Sequence, residues 1–189
     1  LLRDFSVDRE KFGGGRYIAS LTLRFKAEAI RKILYDADIP FAETASRPVL
    51  VLPVFQTVGS TVLWEDTNPW FAAWSRVRRR DGLQPLLLPV GDLTDVAAIS
   101  AEEAVLGRTK KLSDVATRYG ANETMVVVAS LVVDQSFGLL RVEVATSRFG
   151  GNSNDQTEFR RFEAKGDIAR DALLNLAANS VAHEAEDSW

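Results

Sequence analysis

Two aspartates three positions apart, Asp92 and Asp95 in "GDLTD", have the spacing best suited to chemistry in this chain. Such a pair can hold a hard cation or divide acid and base work. Aspartate after glycine at a strand-to-helix junction also caps free helix amides. No third ligand stands near them, so neither a metal site nor a cofactor is expected. The one histidine, His183, lacks a paired His, Cys or acid cluster, and it leaves the serines without a triad. No catalytic residue is assigned. Gly13, Gly14 and Gly15 lie between two strand-like runs, outside the strand-to-helix context of a phosphate-binding loop. They read as a hairpin turn.

The second candidate is aromatic. Trp64, Trp70 and Trp74 crowd into "LWEDTNPWFAAW". Asn68 followed by Pro69 signals a helix start, with the amide side chain accepting from the first free N–H groups and proline placed where its missing donor costs nothing. Trp70, Trp74 and Val77 then share one helical stripe and read as core packing. Leu63 and Trp64 precede the cap. There they either staple the helix start or project as a binding anchor.

These candidates need elements to hold them. "LRDFSVDRE" and "RYIASLTLRF" alternate as a half-buried hairpin, and a helix carrying Ile30, Ile33, Leu34 and Ala37 follows and ends before Pro40. "RPVLVLPVF" and "LQPLLLPV" read as strands covered on both faces and side by side in a parallel sheet. A helix over 69–80 separates them and closes at "RRRDG". Ser100 and Glu103 form a capping box, and a further helix covers about 110–119. "TMVVVASLVV", "LLRVEVATSRF" and "TEFRRFEA" supply a further strand and an antiparallel extension. "GGNSNDQ" is a surface turn. Asp167 caps a terminal helix lined by Ile168, Ala172, Leu173, Leu176 and Ala177, which runs on toward Trp189 without a stop signal.

The expected class is α/β: a mixed sheet with buried parallel central strands, an antiparallel hairpin extension and flanking helices. Residues 1–46 form an appendage and 47–189 the α/β domain. Ligands of open α/β sheets sit beyond the carboxyl ends of the strands, which groups Leu63, Trp64 and Asn68 with Asp92 and Asp95 as candidate binding residues.

The 189 residues are 46% hydrophobic and carry a net charge of -3. A core is affordable, and charge argues against nucleic acid or an anionic membrane as partner. The basic "RVRRR" at 76–80 complements a helix end and lacks the interleaved aromatics of a nucleic-acid patch. No apolar run reaches the roughly 20 residues of a membrane helix. The absence of cysteine is compatible with an oxidising compartment. Because the first residue is Leu1, an export segment is expected to precede the sequence.

"RYIASLTLRFKAEAIRKILYDADIPF", "RPVLVLPVF", "LWEDTNPWFAAW", "LLLPVGDLTDVAAI" and "VATRYGANETMVVVASL" together resemble the proteobacterial domain of unknown function 2066 family across nearly the whole chain. Residues 48–164 are more loosely similar, in element order, to the amino-terminal module of TolB and the periplasmic part of CsgG. The "LWEDTNPW" insertion and the amino-terminal hairpin and helix depart from those modules. The resemblance implies an exported, periplasmic or envelope-associated bacterial protein. The leading expectation is a module that acts without catalysis on a protein partner, through the Leu63–Trp64 loop and an exposed sheet edge. The alternative is a small-ligand-binding or hydrolytic domain using Asp92 and Asp95, with the tryptophans as an apolar wall.

Overall fold

In the first runs of the sequence the apolar residues Leu2, Phe5, Val7 and Phe12 are spaced unevenly, which a regular strand would scatter over both faces. The computed structural model, which describes residues 2–13, 16–37, 39, 47–77, 84–134, 139–151, 157–165 and 170–187, shows how the chain resolves this. Strand β1 (Leu2–Gly13) pairs antiparallel with β2 (Arg16–Phe25), and its register shifts between Leu2 and Asp4 and again between Val7 and Arg9. Each shift is a one-residue bulge in β1, and each restores the alternation. Leu2 thus faces Phe25, Phe5 faces Leu23, Val7 faces Leu21 and Phe12 faces Tyr17, all on one side. Asp4, Ser6, Arg9 and Lys11, opposite Arg24, Thr22, Ser20 and Ile18, make the other side polar apart from the exposed Ile18. Helix α1 (Ala27–Asp36) follows, with Ile30 and Leu34 half-buried and Ile33 exposed. The sequence predicts a half-buried hairpin, yet both faces of β2 are exposed.

Residues Leu1–Glu43 form one compact unit and Thr44–Trp189 a second. The second is a mixed α/β sheet. Strand β3 (Val49–Thr57) pairs antiparallel with the short β4 (Ser60–Val62). Next come helix α2 (Pro69–Ser75), β5 (Leu86–Leu87), helices α3 (Leu93–Ala98), α4 (Ala101–Val105) and α5 (Thr109–Arg118), strands β6 (Glu123–Asp134), β7 (Leu139–Gly150) and β8 (Thr157–Lys165), and helix α6 (Arg170–Asp187). The order across the sheet is β4-β3-β6-β7-β8, with β5 also pairing β3. β3 is parallel to both β5 and β6, and β6-β7-β8 are antiparallel.

Burial follows from alternation along β3. Val49, Val51 and Phe55 pack with Trp70, Trp74 and α6 on one face, while Leu50, Leu52 and Val54 pack with Ile99, Ala104, Leu112 and Val115 on the other. The run is apolar throughout because both faces are covered.

Three expectations change. The strand in "LQPLLLPV" shrinks to Leu86–Leu87, because Pro85 and Pro89 flank it without backbone donors. The helix expected over 69–80 ends at Ser75, and Val77 reaches the core from outside it; the "RRRDG" stop lies outside the described residues. On α6 the buried stripe runs through Leu173, Leu174, Ala177, Ala178, Val181 and Ala182, leaving Ala172 and Leu176 exposed. Leu174, Ala178 and Val181 draw the helix round toward the sheet. Asp167, Ile168, Trp189 and most of "GGNSNDQ" lie outside the described residues.

Candidate functional site

Pro53 sits inside β3, where a missing N–H would normally break a ladder. The ladder has a gap there. β5 pairs only with Val49 and Leu50, and β4 only from Phe55 onward. The Pro53 carbonyl is satisfied by a side chain: Asn68 Nδ2 donates to Pro53 O and to Leu63 O, both at 3.0 Å. The Asn68 Oδ1 accepts from the amides of Trp70 and Phe71, each at 3.0 Å, and so caps α2. One buried amide therefore closes the gap, ties down the loop and starts the helix.

That loop is folded inward. Leu63 is buried among Leu52, Ile99 and Ala104, and its amide donates to Glu65 at 2.8 Å. Trp64 is half-buried, its Nε1–H donating to Ile99 O at 2.8 Å. Gly91 has a φ of 77°, a conformation that favours glycine, and a Cβ built there would lie 3.6 Å from the Trp64 ring. The tryptophan thus bridges the β4–α2 loop to the α3–α4 junction.

Asp92 caps α3, with Oδ1 accepting from Thr94 N at 2.8 Å and Asp95 N at 2.9 Å. The Asp95 amide, ahead of other causes, holds the Asp92 carboxyl below the ordinary carboxylate range. Asp95 is 0% exposed. Its Oδ1 takes Arg118 Nη2 at 2.5 Å, and its Oδ2 takes Gly91 N at 2.9 Å and the Tyr119 hydroxyl at 2.5 Å. Tyr119 accepts in turn from Val90 N at 2.8 Å. The loop between β5 and α3 is thereby fastened to the end of α5.

The polar atoms of Trp64, Asn68 and Asp95 bond within the unit, whereas Asp92 is exposed and caps its own helix. The two aspartates do not act as a pair: one caps a helix and the other anchors an arginine and a tyrosine. No group of three or more His, Cys, Asp or Glu that could hold a metal occurs among the described residues. A shallow depression of about 330 Å³ is lined by Glu103, Arg108, Thr109, Lys110 and Lys111. Within it Glu103 is committed to the capping box with Ser100 and to Lys111 at 2.6 Å.

Sequence reasoning missed Arg118 and Tyr119, whose partner lies more than twenty positions upstream. The only local signal is their place at the end of α5. Burial, then the bond to Asp95, raises the Tyr119 hydroxyl above its ordinary value. The folded state thus holds that proton more tightly than the unfolded chain. The contribution is intact below about pH 10 and is lost as pH climbs through the folded value. Urea midpoints measured across that range should fall more steeply for the parent than for Tyr119→Phe. Parallel curves would show that the hydroxyl is not so held.

No protein-family profile and no curated protein matches the chain. Among solved structures it is similar to the crystal structure of lipoprotein GNA1162 from Neisseria meningitidis, with 10% identity over 74% of this chain and 98% of that one, at a TM-score of 0.45. No helix among the described residues is long and apolar enough to cross a membrane.

Proposed function

We propose that the chain is a non-catalytic protein-interaction module of the bacterial envelope that binds through the open edge of its larger sheet, with Trp64 as the part of the tryptophan loop available to a partner. The observation that carries this reading is β8. Among the described residues no strand pairs with it beyond β7, and Phe159 on it is 80% exposed. An open edge offers backbone donors and acceptors to an added strand, and alternate side chains give selectivity. Phe159 stands on the face away from α6, beside the ion pairs Arg141–Glu163 at 2.8 Å and Arg161–Glu143 at 3.3 Å.

The inward commitment of Leu63, Asn68 and Asp95, and the capping part of Asp92, support the non-catalytic part. Placement in the envelope rests on the motif resemblance, with which the lack of cysteine is compatible, and the partner is a protein of that compartment. A photo-crosslinking residue at Phe159, in the full-length protein in its own cells, should give one discrete adduct in the envelope fraction. The same residue at Thr117, exposed on α5, should give none. Cytoplasmic fractionation, or no adduct from Phe159 and Trp64 alike, overturns the reading.

A further inference from the structure

Within its own unit the β1–β2 hairpin leaves its apolar side uncovered. Phe12 is 78% exposed and Phe5 63%, and the four apolar cross-strand pairs present an accessible area on the order of 900 Å². Folded monomers seldom leave a contiguous apolar patch beyond several hundred Å². A two-stranded hairpin in water is marginal by itself, and the bulges at Arg3 and Asp8 bring every large apolar residue of β1 to this side. We propose that this face is a self-association surface, covered by the same face of a second copy.

Area and symmetry favour a second copy. One partner of a stable interface contributes about 800 Å², which the hairpin alone supplies. A two-fold axis sets a patch against itself and so requires a surface complementary to its own kind, which a face apolar but for Glu10 is. Two such sheets stack about 10 Å apart as a small sandwich. The face is rich in aromatic side chains, the composition of interface centres. Its charged residue, Glu10, lies opposite Ala19 near the tip and bonds the Tyr17 hydroxyl. Head-to-tail stacking keeps the two Glu10 carboxylates at opposite ends and places the Val7–Leu21 pair on the axis.

This inference is independent of the β8 edge, and its test separates the two. Sedimentation of the intact chain from about 1 to about 100 µM should show a dimer, and Phe5→Asp should raise its dissociation constant about a hundredfold. Ser20→Asp, opposite Arg9 on the polar side, and Phe159→Asp on β8 should leave it unchanged. Because the chain has no cysteine, Leu21→Cys gives a second readout that keeps the hairpin apolar: a bifunctional maleimide spanning about 10 Å, the spacing of two stacked sheets, should link two copies through that position. A monomer throughout the range, a dimer indifferent to Phe5→Asp, no linkage through Leu21→Cys, or a chain that partitions onto phosphatidylcholine vesicles without dimerising overturns the proposal.

Discussion

Trp70→Ala will lower the stability of the α/β unit by about 4 kcal/mol, shifting its melting midpoint down by on the order of 10 °C. Trp70 is fully buried beneath β3 and β6. Its Nε1–H donates at 3.0 Å to the carbonyl of Val127 in the central strand, and its ring meets Trp74 edge-on at 6.0 Å. Truncation removes one of the two largest side chains in that layer and empties a site walled by sheet and helix, so little collapse can follow. A graded series separates volume from hydrogen bonding. Trp70→Phe keeps most of the bulk but strips the indole bond, and should cost about 1–2 kcal/mol. Trp74→Phe should cost less, because the buried Trp74 Nε1 has no partner among the described residues. Chemical denaturation of the three variants checks this, and equal losses for Trp70→Phe and Trp74→Phe would remove the Val127 bond from the account.

Asp95→Ala should cost about 3 kcal/mol. Three donors converge on that carboxylate, and with it gone Gly91 N and the Tyr119 hydroxyl lose their partner inside the protein. Arg118 is a third exposed, so water recovers part of its charge and keeps the loss toward the lower end for a broken buried pair. Double-mutant cycles of Asp95→Ala with Arg118→Ala and with Tyr119→Phe should both be strongly non-additive. Additivity in both would mean that the carboxylate acts alone.

The two residues differ in how far the sequence exposes their role. Trp70 is legible because helical spacing after an Asn-Pro cap puts it on the stripe with Trp74. The capping parts of Asn68, Asp92 and Ser100 are equally local. What was not legible is each residue's second partner. That Asn68 Nδ2 fills the gap at Pro53, or that Asp95 meets Arg118 and Tyr119, depends on which strands stop where. Periodicity does not carry that information. The bulges at Arg3 and Asp8 are a middle case. Uneven apolar spacing in β1 against regular spacing in β2 points to them, but only once the two runs are known to pair. The mixed α/β class followed from reading "RPVLVLPVF" and "LQPLLLPV" as apolar without alternation, although the second run keeps only Leu86–Leu87 as strand between its prolines.

β3 also sets a problem of timing. Its parallel neighbour β6 begins about seventy residues later, so at roughly 5–20 residues per second several seconds of translation separate the two. Through that interval the nascent chain carries Val49–Val54, a β-prone stretch of the kind that seeds aggregation. Pro53 interrupts it. The residue that the finished sheet accommodates at a break in its ladder is thus also the one that keeps the growing polypeptide from finding the wrong neighbours on a crowded ribosome.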